Sequence, residues 1–252
     1  MFPYRDDNPT FRTPLVTYAI IAANVAAWLL WQGAGSEPAL SASVCEKGLI
    51  PGELFGLLPS GTRVPMGQGL VCVLGDSEWY TPLTHMFLHG GWFHLLGNMW
   101  FLWVFGNNVE DSFGRGRFLA FYLLCGLAAA ATQAFFNPAS RIPMVGASGA
   151  IGGVMGAYVL LYPMVRVHML VFFVFIFRVA VPAYLMLGYW FLLQVLGGLP
   201  QLGVDRGGTA FWAHVGGFLA GMFLMPFFRD PELVARHRAY VRRLVGHYGL
   251  ER

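Results

Sequence analysis

Six stretches of the chain run for about 17 to 21 residues without a charged side chain: residues 15–31, 92–109, 118–136, 142–161, 179–199 and 208–228. A helix rises 1.5 Å per residue, so stretches of this length match the roughly 30 Å hydrocarbon core of a bilayer. They predict six transmembrane helices with both termini on one side. Residues 167–177 are also apolar but too short to cross, and are expected to lie at the interface or to lead into span five. A long first loop, about residues 32–91, is punctuated by Pro38, Pro51, Pro59 and Pro65. A loop of that length is rarely structureless, and short helices are expected within it.

Lysine and arginine positions orient the bundle. The side holding both termini carries twelve: Arg5, Arg12, Arg115, Arg117, Arg166, Arg178, Arg229, Arg236, Arg238, Arg242, Arg243 and Arg252. The other side carries four: Lys47, Arg63, Arg141 and Arg206. Positive charge is retained in the cytoplasm, so both termini are expected there, with the first loop extracytoplasmic. The organisation is then a cytoplasmic segment 1–14, a membrane domain 15–228 and a tail 229–252. In that tail Val234, Val241, Val245 and Tyr248 recur at helical spacing among arginines after Asp230-Pro231-Glu232. This predicts a basic amphipathic helix on the anionic cytoplasmic membrane face.

Composition strengthens this picture. Hydrophobic residues make up 56% and charged residues 12%, against roughly 25% charged in soluble domains. The chain reads as an all-α integral membrane protein, and its net charge of +3 reflects topology, not nucleic-acid binding. The start of the chain lacks the pattern of a cleavable signal, so the first span is expected to persist. Multi-span content of this kind suits a bacterial plasma membrane.

Polar groups inside spans are costly, which makes them candidates for chemistry. Ser148 opens an uncharged run after Gly146-Ala147, and His214 lies in another. Serine needs a base within hydrogen-bond reach to become a nucleophile. Gly149, Gly152, Gly153 and Gly156 follow Ser148, and Gly217 and Gly221 follow His214 on its own helix face. Such glycines offset their helix cost by letting backbones approach closely. His94 and Asn98, four apart, share a face of span two. Asn98, His94 and the backbone N–H of Ser148, with that of Gly149, are suitable oxyanion donors.

No acid lies in any span, and Asp205 is the nearest to His214 in sequence, so a Ser-His dyad is expected in place of a triad. A zinc set of His85, His89, His94 and His214 is disfavoured because no paired-ligand helix motif is present; neither metal nor cofactor is expected. Cys45 and Cys72 share the oxidising outer loop, where they either bridge or stay as two buried thiols. Cys125 lies in span three. Thr17, Asn24, Gln133 and Gln194 read as interhelical hydrogen-bonding groups without chemistry. Trp92, Trp100, Trp103, Trp190 and Trp212 read as packing or interface residues.

These residues resemble the rhomboid intramembrane serine proteases. Gly146-Ala147-Ser148-Gly149 is similar to their GxSG motif, Ala213-His214-Val215-Gly216-Gly217 to their alanine-histidine signature, and His94-Leu95-Leu96-Gly97-Asn98 to their HxxxN element. The resemblance runs from about Trp79 to Gly221 and includes residues 110–118. It implies a six-helix bundle with an outward-opening cavity in which Ser148 attacks and His214 acts as base and then acid. It further implies oxyanion roles for His94 and Asn98, structural roles for His85 and His89, and membrane-protein substrates cleaved in or near a transmembrane helix. The oligomeric state stays open. Two positions depart from the family pattern: Trp79 is followed by Tyr80 where an arginine is common, and Gly152 stands where some members have a tyrosine stacking on the histidine. A catalytically silent client-binding protein is the alternative, although both reactive residues are present. A transporter is disfavoured by spans without acids and by the lack of visible repeats.

Overall fold

A computed structural model describes residues 2–67, 69–75, 78–172, 175–202, 204 and 207–248. Asp205, Arg206, Arg252 and the side chains of Val245 and Tyr248 lie outside the described residues. The protein is a helical membrane bundle. Its long helices are α1 (Leu15–Leu30), α5 (Trp92–Phe113), α6 (Arg115–Phe136), α7 (Ser148–Leu161), α8 (Ala183–Gly198) and α9 (Phe211–Phe228). The first loop holds the short helices α2 (Ala39–Lys47), α3 (Pro51–Leu54) and α4 (Thr81–Thr84), and α10 (Pro231–Tyr248) closes the chain. By length and hydropathy, Arg115–Phe136, Ala183–Gln201 and Phe211–Phe228 suffice to cross a membrane, while Leu15–Leu30 and Ser148–Leu161 are apolar but shorter.

Among the described residues five strands accompany the helices. In the first loop β2 (Arg63–Gly67) and β3 (Leu70–Val73) form a hairpin. A three-stranded antiparallel sheet is ordered β1 (Phe2–Asp6), β4 (Arg166–Phe172), β5 (Ile176–Pro182). The described part of residues 167–177 therefore lies mainly in the paired strands β4 and β5, and span five becomes helical only at Ala183. The run is dense in valine and aromatic residues, which favour a pleated surface, and Pro163 and Pro182 bound it. Strand β1 also touches the bundle: Trp100 Nε1 donates to the Pro3 carbonyl at 2.7 Å, and Trp100 and Phe101 flank the Phe2 ring. At its end the Asp6 side chain accepts from the Tyr158 hydroxyl and, at 3.1 Å, from Asn108 Nδ2. Burial lifts its carboxyl to about 7, against the lowering effect of the Tyr158 bond.

Helix α5 runs four residues past the predicted end of span two, so Glu110 and Asp111 are helical and buried. Both satisfy backbone donors that Pro14, at the start of α1, cannot. Glu110 accepts from the N–H groups of Val16 and Thr17 at 3.0 and 2.8 Å and from the Thr17 hydroxyl at 2.8 Å. A helix leaves its first four N–H groups unpaired, and a carboxylate there also meets the positive end of the helix dipole. Asp111 accepts from Phe11 N–H at 2.8 Å and pairs with Arg12.

The centre of the bundle is α7, buried from Gly149 to Tyr158 and packed between α5, α6 and α9. Its helix starts six residues later than the apolar run 142–161. Pro143 lacks an N–H, and Gly146 holds φ +132°, a region that favours glycine. Fourteen residues span about 21 Å, less than the roughly 30 Å hydrocarbon core, so one end of α7 stops short of the surface. The segment before α7 is held by the first loop. Leu49 and Met144 exchange backbone hydrogen bonds of 3.0 and 2.8 Å, Gly52 N–H donates to the Ser140 carbonyl at 2.9 Å, and Gly146 N–H donates to the His85 carbonyl at 2.9 Å. Within that loop a disulfide joins Cys45 and Cys72, and Cys125 is free and buried.

Candidate active site

The first residue of α7 is Ser148, and His214 lies in the first turn of α9. The side chains meet: His214 Nε2 is 2.7 Å from Ser148 Oγ. Glycines make this approach possible. A methyl placed on Gly217 would stand 2.0 Å from the Gly149 carbonyl oxygen, and one on Gly221 2.0 Å from that of Gly153. On α7, a methyl at Gly156 would meet the Phe218 carbonyl oxygen at 2.2 Å, and one at Gly153 the Gly217 carbonyl oxygen at 3.1 Å. Gly149 and Gly153 also face α6, where Ala129 and Cys125 occupy the space a side chain would need. Helix backbones normally stand 8 to 10 Å apart axis to axis; here no side chain separates them.

The far side of the imidazole is held by α8. His214 Nδ1 lies 2.8 Å from Gln194 Oε1, and Gln194 Nε2 donates to the Trp190 carbonyl at 3.1 Å. That second bond turns the amide oxygen toward the ring. The Trp190 ring lies 5.7 Å from the His214 ring at 35°, and its edge would be 3.7 Å from a methyl on Gly152. Trp190 and Gln194 thus restrain the ring from α8, with glycine at position 152. The reading of Gln194 as an interhelical hydrogen-bonding group is met by this bond from α8 to α9, but it did not foresee His214 as the partner. Among the other polar span residues, Gln133 Oε1 accepts the first-turn N–H of Ala213 at 3.2 Å, while Asn24 Nδ2 donates to the Ile20 carbonyl of its own helix at 2.8 Å.

His94 reaches the site from α5. Gly90 N–H donates to its Nδ1 at 3.2 Å, and a methyl on Gly146 would stand 2.8 Å from its Nε2 and 3.4 Å from Ser148 Oγ. His94 Nε2 and Ser148 Oγ therefore border one point. Asn98, one turn further along α5, is buried, and its Nδ2 has no hydrogen-bond partner among the described residues. The N–H groups of Ser148 and Gly149 lie in the first turn of α7, where helical geometry supplies no carbonyl. His85 and His89 tie the scaffold through their backbones: His89 exchanges bonds of 2.8 and 2.7 Å with the buried amide of Gln32. Among the described residues no group of three His, Cys, Asp or Glu side chains is placed to hold a metal ion.

The profile of the Rhomboid domain matches residues 76–230, which contain Ser148, His214, His94 and Asn98. The chain belongs to the rhomboid family. It is 32% identical over 162 residues to "Rhomboid protease GluP" of Bacillus subtilis (strain 168), covering 64% of this chain and 28% of that protein. It is also 32% identical over 150 residues to "RHOMBOID-like protein 5" of Arabidopsis thaliana, covering 59% and 44%. A third relative, "Putative rhomboid protease YdcA" of Bacillus subtilis (strain 168), is 34% identical over 85 residues, 34% of this chain and 42% of that protein. The chain spans less than half the length of each. Tyr80, standing where many rhomboids carry an arginine, uses its hydroxyl to donate to Glu78 Oε2 at 2.6 Å, while Trp79 is 84% exposed.

Proposed function

We propose that this rhomboid is an intramembrane serine endopeptidase that cleaves membrane proteins in or beside a transmembrane helix. The observation that carries the reading is the 2.7 Å contact of Ser148 Oγ with His214 Nε2, made between two helices with no acid bonded to either side chain among the described residues. Gln194 Oε1 accepts from His214 Nδ1–H, which leaves the Nε2 lone pair facing the serine hydroxyl. His214 takes that proton as Oγ attacks the scissile carbonyl, and returns it to the leaving amine. The oxyanion meets Asn98 Nδ2, His94 Nε2 and the unpaired N–H groups of Ser148 and Gly149, at the positive end of α7. Water then releases the acyl group from Ser148 by the same proton path.

Peptide bonds in a substrate helix are internally bonded, so the helix must unwind before attack. The short α7 and the polar groups at its start favour a site recessed from the surface but open to water. In this reading the six long helices cross the membrane, both termini face the cytoplasm, and the site opens to the extracytoplasmic side of a bacterial plasma membrane. In this reading the chemistry is supplied by the chain's own side chains and backbone N–H groups, without metal or cofactor. Labelling by a fluorophosphonate tests the reading: detergent-purified wild type is labelled and cleaves a reporter transmembrane substrate, and Ser148→Ala and His214→Ala do neither. Wild type that takes no label and cleaves nothing in liposomes would overturn it.

A further inference from the structure

A large cavity lies at the end of the bundle remote from Ser148. It has a volume of about 1370 Å³ and is walled by the N-terminal segment, the turn after α7 and α10. We propose that it is a binding site for an anionic phospholipid. The proposal stands whether or not Ser148 is a nucleophile.

Charge is the first argument. Arg5, Arg166, Arg238 and Arg242 line the cavity. Of its acids, Asp7 is engaged by His168 at 2.8 Å and Arg5 at 4.0 Å. Among the described residues no ion pair engages Arg166, Arg238 or Arg242. Asp6, its carboxyl lifted to about 7 by burial, carries less negative charge near neutral pH than an ordinary carboxylate. Guanidinium forks match phosphate oxygens in pairs and lose less hydration than ammonium groups do.

Shape and polarity are the second. The volume exceeds the roughly 300 to 1,000 Å³ of ordinary small-molecule pockets. The same wall includes apolar side chains, Trp103, Leu161 and Val241. Trp103 is half exposed on the flank of α5 and stacks on Tyr18 of α1, so the cavity is continuous with a surface that faces lipid. A free phosphate would use only the arginines; a phospholipid uses them for its headgroup and the apolar wall for a chain. Basic pockets of this kind at the cytoplasmic ends of spans are suited to anionic headgroups.

The test uses the full-length chain in dodecylmaltoside with dioctanoyl phosphatidylglycerol, dioctanoyl phosphatidylcholine or inorganic phosphate. Thermal midpoints are read for wild type, for Arg238→Gln/Arg242→Gln, and for Arg115→Gln/Arg243→Gln, which removes the same charge from outside the cavity. The phosphatidylglycerol raises the midpoint of wild type and of the control pair by about 5 °C, and of the cavity pair by no more than about 1 °C. Phosphatidylcholine and inorganic phosphate produce no such rise. An equal rise in the cavity pair, an equal rise with phosphatidylcholine or phosphate, or no rise in wild type would each overturn the proposal. Photocrosslinking of wild type with a diazirine phosphatidylglycerol is the check that needs no variant: adducts fall on peptides containing Trp103 or Val241, and adducts confined elsewhere would refute the site.

Discussion

Gln194 Oε1 lies 2.8 Å from His214 Nδ1, on the side of the imidazole away from Ser148. A neutral amide thus stands where serine hydrolases of the triad type place a carboxylate. A hydrogen bond that orients the base is worth about 1.5 to 3 kcal/mol, or 10- to 100-fold in rate. Gln194→Leu is expected to lower kcat by that factor with little change in KM on a reporter transmembrane substrate. Gln194→Glu, which keeps an acceptor at the same reach, restores most of it. A purely packing role would instead let leucine retain activity.

The dyad itself sets the strongest expectation. Ser148→Ala and His214→Ala each reduce cleavage by at least about 10³-fold, and both keep the wild-type circular dichroism, because the backbone packing of α7 on α9 rests on the glycine rows and not on these two side chains. Residual cleavage in purified Ser148→Ala above that level would point to a different nucleophile.

Glycine placement separates packing from composition. At Gly217 a methyl would overlap the Gly149 carbonyl oxygen, at 2.0 Å, and backbone cannot yield as a side chain does. Gly217→Ala is expected to destabilise the bundle by about 3 kcal/mol and to reduce activity with it. Gly188, on α8, has nothing within 4 Å of such a methyl. Gly188→Ala should leave stability unchanged or raise it by up to about 1 kcal/mol. Thermal unfolding of both variants in one detergent checks the contrast.

Asp6 predicts a pH dependence with a definite sign. Its carboxyl is lifted from 3.8 to about 7 in the folded protein. Below about pH 4 both states hold the proton and no penalty arises. Between pH 4 and 7 the unfolded chain loses the proton while the folded one keeps it, so stability falls as pH rises, and the loss is complete above 7. Asp6→Asn keeps an oxygen acceptor for Tyr158 and Asn108 but carries no charge. It should be more stable than wild type by about 2 kcal/mol at pH 8, with the advantage gone at pH 4. This is less than the full displacement would give, because the carboxyl keeps some contact with solvent. Unfolding curves of the two proteins across that range measure it.

The long helices were legible because an uncharged run of bilayer length has few other readings. The sheet was not. Residues 166–182 are apolar almost throughout, and a continuous apolar run carries neither the 2-residue nor the 3.6-residue period that separates strand from helix. Strand β1 is five residues containing Pro3, Arg5 and Asp6, too short and polar to register alone. In the site, Ser148 and His214 stood out as costly polar groups among uncharged neighbours. Gln194 was equally polar and equally isolated, but one glutamine in a span fits interhelical bonding just as well. Only the packing of α8 against α9 tells which of these it does.

Between α7 and α9 main chain rests on main chain, and this has a consequence for how the protein can vary. There is no rotamer at the crossing to relax, so the spacing of the two backbones that carry the reacting side chains is set by main-chain contact, and lipid-facing positions can drift freely without altering it. Inserting or deleting a single residue in either helix is a different matter. It turns everything beyond it by about 100° and swings one glycine row off the other, so that the two helices fit together only in register, like a key cut for one lock.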